Sequence, residues 1–256
     1  MPTVLVEKKS PHVTTLTLNR PERRNALTIE LMTELIAAIE TATADDSQRI
    51  VILRGAGQAF CTGLDLNEVG EREKAHHSAE MVAKMLLTLS QTRLITIAVV
   101  HGAAVAGGAG LMSACDFALA AERTKFGYPE ARRGLVAGLV MTFLRRQLRE
   151  RDVRELLLTG ELIDSDRAKE IGLVNRVVAP NELDAVVQQT INSILQGAPG
   201  ALSMSKRLLE ELWSTSVEED IKLALRHHLE ARESAEAREG VAAFLEKRPP
   251  TWAAQS

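Results

Sequence analysis

The sequence contains few aromatic residues and few cysteines. Phe, Trp and Tyr make up only 3% of the 256 residues, although hydrophobic residues of all kinds make up 45%. A core of this composition must rely on Leu, Val, Ile and Ala, packed as helices against a sheet. Two cysteines, Cys61 and Cys115, cannot form a disulfide framework, which favours a reducing compartment.

Long apolar runs, a strong net charge and metal-binding motifs are also missing. No run approaches the roughly 20 apolar residues of a membrane-spanning helix, and the N-terminus lacks the apolar core of a signal peptide. The net charge of −3 offers no basic field for nucleic acid. No H-E-x-x-H or C-x-x-C spacing indicates a metal site. We therefore expect a cytoplasmic protein without nucleic-acid, membrane or metal partners.

A glycine-rich stretch, residues 97–116, has the sequence IAVVHGAAVAGGAGLMSACD. A strand that ends in glycines and continues as a helix leaves several backbone N–H groups without partners. With the positive end of the helix dipole behind them, these donors can bind an oxygen that carries negative charge. The glycine spacing matches neither a dinucleotide fingerprint nor a P-loop. The alternative is that the glycines only let a helix pack closely on a sheet.

The apolar pattern predicts an α/β architecture followed by a helical tail. Residues 4–7 and 13–18 alternate as half-buried strands do, and Thr28 can cap a helix over residues 29–43. Later strands followed by turns and helices favour parallel βαβ units. From Arg151 onward helical periodicity dominates. The histidines of the adjacent pairs His76-His77 and His227-His228 are predicted to be solvated, because neighbouring helical side chains do not face each other.

Each acidic group near the turns can be interpreted as structural or as catalytic. Asp65 and Glu68 have the D-x-x-E spacing of a capping box, which predicts a helix start there, with a loop over residues 69–78. Capping is favoured over catalysis for this pair. Glu130 is isolated, and is either a catalytic acid or a structural carboxylate paired with Arg132 or Arg133.

Two turns after parallel strands, residues 55–64 and 101–108, are expected to lie at the same edge of the sheet, where ligands of α/β proteins collect. One backbone N–H group from each turn could converge on a single carbonyl oxygen. That arrangement is an oxyanion hole.

Several linked motifs resemble the crotonase, or enoyl-CoA hydratase/isomerase, superfamily. They keep the order and spacing of the family over nearly the whole chain. The motifs are LNRPERRNALT, VILRGAGQAFCTGLDLNE, HGAAVAGGAGLMSACD, FGYPE, LLLTGELI, GLVNRVV and GVAAFLEKRPP.

The resemblance implies an α/β fold with a crotonase-like ββα spiral core over residues 1–195. Residues 196–256 would form a C-terminal helical subdomain for trimerisation. It also implies an acyl-CoA thioester substrate of the kind found in fatty acid metabolism, with coenzyme A as part of the substrate and no other cofactor. A homotrimer or a dimer of trimers is the implied assembly.

The resemblance also implies roles for individual residues. The N–H groups of Leu64 and Gly107 would hold the thioester oxygen, and Glu130 matches the second of two glutamates with which hydratases hold and deliver water. Phe244 and Lys247 would complete the CoA site, on the same or a neighbouring subunit. The implied substrate and CoA contacts are Arg24, Ala26, Gly63, Leu64, Asp65, Leu66, Asn67, Gly107, Gly108, Phe244 and Lys247.

One departure from the family pattern affects the predicted reaction. Gly110 stands where hydratases commonly carry the first glutamate. Glycine cannot replace a carboxylate, so hydration by two glutamates is in doubt. The alternatives are isomerisation by Glu130 alone, hydration with water held differently, a single-acid lyase or decarboxylase acting on a CoA thioester, and a catalytically weak acyl-CoA-binding protein.

Overall fold

The strands form one main sheet and one small pair. The computed structural model describes residues 1–67 and 72–253, without the side chains of Lys9, Arg72 and Glu73. The strands are β1 (Val4–Ser10), β2 (Val13–Leu18), β3 (Ile50–Gly55), β4 (Ile95–Val100), β5 (Ala103–Val105), β6 (Phe117–Ala121), β7 (Lys125–Gly127) and β8 (Arg176–Val178). The main sheet has the order β1-β2-β3-β4-β6-β8, and β5 pairs with β7. Only β1 and β2 pair antiparallel among these strands, which confirms the predicted parallel units.

Helices cover both faces of this sheet. They are α1 (Ile29–Ala44), α2 (Arg72–Gln91), α3 (Gly107–Ser113), α4 (Gly138–Gln147), α5 (Glu150–Thr159), α6 (Ser165–Glu170), α7 (Leu183–Leu195), α8 (Pro199–Glu211), α9 (Val217–Arg232) and α10 (Ala235–Leu245). The predicted cap of α1 is confirmed, because the Thr28 hydroxyl accepts a hydrogen bond from the Leu31 N–H at 3.2 Å. Every residue of β4 is buried, as expected for a central parallel strand covered on both faces.

The core divides into two layers, one on each face of the sheet. The larger layer contains aliphatic side chains of α1, α2, α3 and α4, and the smaller one is closed by α7. Leu183, Val187, Ile191 and Ile194 of α7 pack there against residues such as Ile52. The scarcity of aromatic side chains is therefore met by aliphatic packing of helices on a sheet.

Two local predictions are wrong. Residues 72–78 are helical rather than a loop, because α2 begins at Arg72, and residues 66–67 form a turn rather than a helix start. Glu68 of the predicted capping box lies outside the described residues. The strands β5 and β7 were not predicted, because three residues are too few to establish an alternating pattern.

The C-terminal helices combine packing on the sheet domain with an exposed apolar surface. Helix α9 packs against α2 and α4, whereas α8 has no buried residue. Large apolar residues exposed on or just after α8 are Met204, Leu208, Leu209, Leu212 and Trp213. The boundary at residues 195/196 and the role in trimerisation stay predictions. No helix in residues 1–67 and 72–253 is long and apolar enough to cross a membrane.

Candidate active site

The loop around Leu64 leaves one backbone N–H unpaired. The N–H of Leu27 donates to the Gly63 carbonyl at 2.8 Å, and the N–H of Asp65 donates to the Leu27 carbonyl at 2.9 Å. Successive N–H groups of an extended segment point to opposite sides. The N–H of Leu64 therefore points away from Leu27, toward the turn that precedes α3.

That turn supplies a second unpaired donor. Gly107 is the first residue of α3, and the N–H groups of a first helical turn have no partner within the helix. Ala106 before it has a φ of 51°, an unusual conformation for a residue with a side chain. A Cβ atom on Gly107 would lie 4.0 Å from the Leu64 nitrogen, so the two donors are close neighbours.

Two glycines are required by these close approaches. Gly63 has a φ of +90°, and a Cβ atom there would lie 2.9 Å from Ala106 Cβ and 3.3 Å from the Gly107 nitrogen. At Gly108 a Cβ atom would lie 2.2 Å from the Cys61 carbonyl oxygen. Gly108 thus serves the close packing of α3, which is the alternative considered for the glycine-rich stretch.

A pocket of about 870 Å³ opens beside the two donors. It collects most of the predicted site residues on one chain, including two from the end of α10 and the residues after it. The predicted residues that line it are Arg24, Leu64, Leu66, Asn67, Gly107, Glu130, Phe244 and Lys247. The other predicted residues, Ala26, Gly63, Asp65 and Gly108, are not among its lining residues.

Glu130 has the surroundings of a proton carrier. It lies in a 3₁₀ turn, Pro129–Arg133, is only 9% exposed, and lines the pocket. Its Oε2 atom is buried without a hydrogen-bond partner. Burial raises the pKa of Glu130 to about 7, although the nearby positive charge of Arg133 lowers it. A carboxyl group with this pKa exchanges protons readily at neutral pH.

Asp65 has a structural role, because hydrogen bonds fix its carboxylate in place. Its carboxylate accepts hydrogen bonds from Arg20 at 3.1 Å and from the side chain of Asn67 at 3.0 Å. Partial burial raises the pKa of Asp65, but these hydrogen bonds outweigh it and hold the pKa below its usual range. The pair ties the loop that contains Leu64 to the segment after β2.

The space beside Gly110 is already filled. A Cβ atom on Gly110 would lie 2.2 Å from Cγ1 of Val140, which belongs to α4 and lines the pocket. An apolar side chain thus packs against the position where hydratases commonly carry their first glutamate. In the described part of the chain, the only carboxylate residues that line the pocket are Glu130 and Glu22.

The sequence did not predict the place of several residues in the pocket. His227, His76 and His77 are exposed as predicted, but His228 is only 8% exposed and lines the pocket together with Arg232 of the same helix. The spacing of four residues between them was the available signal, because it places both on one helical face. Arg133 was considered only as an ion-pair partner, and its guanidinium carbon lies 4.4 Å from the centre of the Phe244 ring.

Comparison with known proteins identifies the family of this chain. The family model of enoyl-CoA hydratase/isomerase matches residues 8–255. This chain belongs to the enoyl-CoA hydratase/isomerase family. A Thermus thermophilus protein named as an enoyl-CoA hydratase is 37% identical to it over 254 residues, which cover 97% of this chain and 100% of the relative.

Solved structures confirm the crotonase fold. An enoyl-CoA hydratase from Mycobacterium avium matches with a TM-score of 0.86 and 34% identity, covering 98% of this chain and 99% of that one. An enoyl-CoA hydratase from Mycobacterium smegmatis matches with a TM-score of 0.81 and 35% identity, with coverage of 98% and 99%. The chain is thus an enzyme of this family that processes acyl-CoA thioesters.

Proposed function

We propose that the N–H groups of Leu64 and Gly107 bind the thioester oxygen of an acyl-CoA, and that Glu130 moves a proton at the carbon next to the thioester. The observation that carries this proposal is the buried Glu130 carboxyl group, whose Oε2 has no partner, in the same pocket as the two donors. Each such donor contributes about 3–4 kcal/mol to the stabilisation of a transition state.

The chemistry follows from these three groups. Glu130 accepts the proton as the C–H bond breaks, and the bonding electrons form the enolate, whose oxygen is held by the two N–H groups. When the protonated Glu130 returns that proton to a different carbon of an enoyl chain, the double bond moves. The reaction conserves all atoms and needs one acid–base residue.

The surroundings of Gly110 support a single-acid reaction. Val140 occupies the space into which a side chain at position 110 would extend, and Glu22, the other carboxylate of the pocket, lies in the exposed turn Pro21–Arg23. A second buried acid to position water is thus missing from the described pocket lining. Isomerisation, or a lyase or decarboxylase reaction through the same enolate, fits this pocket better than hydration by two glutamates.

Substrate and subunit contacts complete the proposal. Arg24, Leu66 and Asn67 line the pocket together with Phe244 and Lys247, and we assign coenzyme A to this part of the wall. The exposed apolar residues of α8 are the surface proposed for the homotrimer, because contiguous apolar residues in water favour association. Light scattering of the purified protein would measure the number of subunits.

The decisive experiment compares Glu130→Gln with Glu22→Gln, a matched loss of a carboxylate at the same pocket. Turnover of a panel of enoyl-CoA and other acyl-CoA thioesters would be measured, together with exchange of the proton next to the thioester in deuterated water. We expect Glu130→Gln to lower both rates by roughly 10²–10⁴-fold, and Glu22→Gln to leave them within about threefold.

Two outcomes would contradict the proposal. Unchanged proton exchange in Glu130→Gln would show that another group moves the proton. If no thioester reacts with the native protein, yet several raise its melting temperature, the chain is an acyl-CoA-binding protein instead.

A further inference from the structure

One wall of the pocket is polar where a plain hydrocarbon chain would require an apolar surface. His228 and Arg232 lie four residues apart on α9, on the same face of the helix, and both line the pocket. The Nδ1–H of His228 donates to the Val136 carbonyl at 2.8 Å, and Nη1 of Arg232 donates to the Ala75 carbonyl at 2.7 Å. These bonds fix α9 against α2 and the segment before α4.

Arg232 has no counter-ion among the side chains that the structure describes. The Ala75 carbonyl is its one hydrogen-bond partner within that part of the chain. Arg146, another half-buried arginine, is treated differently: Glu210 and Asp220 bind it at 2.7 and 3.1 Å. A cation withdrawn from water without a carboxylate is costly, so the remaining donors of Arg232 form an incomplete site.

His228, the described pocket residue beside Arg232 on α9, does not compensate its charge. A carbonyl can only accept a hydrogen bond, so Nδ1 of His228 carries the hydrogen. Burial lowers the pKa of His228 to about 4, with a contribution from the charge of Arg232, and the ring is neutral at pH 7. Burial likewise lowers the pKa of Arg232 to about 10, which leaves it charged. Arg232 is thus the positive charge of this wall.

The position of Arg232 separates it from the proposed CoA contacts. Arg232 belongs to the wall formed by α2, α4 and α9, to which α2 contributes Val82 and α4 contributes Val140. Val140 is also the residue that packs at Gly110. The proposed CoA cations Arg24 and Lys247 come from the loop after β2 and from the end of α10. On this division of the pocket lining, we assign the acyl end of the substrate, rather than the CoA phosphates, to the α9 wall.

We propose that the acyl group of the substrate carries a carboxylate at its far end and that Arg232 binds it. The substrate class is a CoA thioester of a dicarboxylic acid. The planar guanidinium fork matches the two oxygens of a carboxylate, and the apolar residues Val82 and Val140 suit the methylene groups between the two ends. This inference rests on the proposed function, because it assigns the acyl part of the substrate to the same pocket.

Binding of saturated thioesters, which have no double bond to shift or hydrate, tests the proposal without relying on turnover. Calorimetry would compare pairs of equal chain length: butyryl-CoA with succinyl-CoA, pentanoyl-CoA with glutaryl-CoA, and hexanoyl-CoA with adipyl-CoA. We expect the carboxylate to tighten binding by about tenfold or more for at least one length, as a charge-assisted hydrogen bond does. Equal affinity, or a preference for the monocarboxylic partner, at every length would overturn the proposal.

Substitutions of Arg232 show whether it is the group responsible. We expect Arg232→Met to bring the two members of the best pair to equal affinity and Arg232→Lys to retain part of the preference. The control is Arg226→Met, which removes an exposed arginine of the same helix that does not line the pocket, and should leave the preference unchanged. A preference that survives Arg232→Met would place the carboxylate elsewhere.

The same measurements separate the two proposals. If the monocarboxylic thioesters bind but the second carboxylate adds no affinity at any chain length, acyl-CoA binding stands and the role of Arg232 is wrong. If no thioester binds to the native protein, the proposed function fails and this inference fails with it. Melting temperatures of the variants would identify one that is unfolded, in which case Arg232→Lys alone decides.

Discussion

Two loops beside the pocket each contain a carboxyl group of low exposure, and the pKa of that group is lowered in one loop and raised in the other. In residues 61–67, Asp65 has a side chain that is 11% exposed, and in residues 126–134, Glu130 is 9% exposed. Asp65 receives hydrogen bonds from Arg20 and Asn67, and its pKa falls. Glu130 has an oxygen without a partner, and burial raises its pKa to about 7.

The difference shows that depth of burial and hydrogen-bond partners together set the pKa of an acid, since Glu130 is the more deeply buried of the two and Asp65 has the more donors. Burial opposes ionisation in both loops, but donors that point at a carboxylate stabilise its charged form. Asp65 therefore remains a charged structural anchor. Glu130 keeps the capacity to take up and release a proton, which a proton carrier needs.

The largest difference between Glu130 and Asp65 is expected in the pH dependence of kcat/KM. If ionised Glu130 is the base, kcat/KM should rise about tenfold per pH unit up to a pKa near 7 and then level off, so that about 100-fold is lost at pH 5. Asp65→Asn should keep this profile. A profile that is flat between pH 5 and 8 would exclude Glu130 as the base.

The free energy of unfolding should show the cost of burying Glu130. Its folded pKa, about 7, lies above the 4.5 of an unperturbed glutamate, so the folded state binds more protons between these values. Stability from this group is therefore present below pH 4.5 and is lost as the pH rises to about 7. The loss approaches 3 kcal/mol.

Urea denaturation at pH 5 and pH 8 measures this loss. The free energy of unfolding of Glu130→Gln should rise relative to that of the native protein between pH 5 and pH 8, because glutamine carries no charge at either pH. An identical pH dependence of both proteins would contradict the burial of an ionisable carboxyl group.

A glutamate introduced at position 110 would add a partner acid for Glu130 and test whether the absence of that acid limits hydration. Because Val140 fills the space, Gly110→Glu alone should destabilise the fold by about 1–3 kcal/mol through overpacking. We expect Gly110→Glu with Val140→Ala to raise hydration of a short enoyl-CoA by about tenfold over Val140→Ala alone, which is less than the roughly 10²–10⁴-fold contribution of a well-positioned acid–base group. No gain in a folded double variant would show that the missing acid is not what limits hydration.

The smallest effect is expected at Asp65. Asp65→Asn removes the ion pair with Arg20 and should lower the free energy of unfolding by about 1–2 kcal/mol at pH 7. Its kcat should change by less than about threefold, because the carboxylate does not line the pocket. A loss of activity as large as in Glu130→Gln would give Asp65 a role in the reaction.

Local patterns were enough to predict much of this protein. The alternating strands, the Thr28 cap and the strand–glycine–helix turn depend on neighbouring residues in the chain, and all three are present in the structure. Glu130 was singled out as an isolated acid, and the resemblance then matched it to a glutamate with which hydratases hold and deliver water. The start of α2 and the three-residue strands were not predictable, because contacts with distant segments decide them.

Sequence patterns determined which chemical groups the chain has available: glycines that free backbone donors, one acid after a turn, and no acid at position 110. Only the tertiary structure decided their states. It buried Glu130 with one carboxyl oxygen unpartnered, filled the space at Gly110 with Val140, and brought Arg232 of α9 to the pocket without a counter-ion among the described side chains. The reason is that burial and charge pairing arise between residues far apart in the chain, whereas glycine conformation and capping are local.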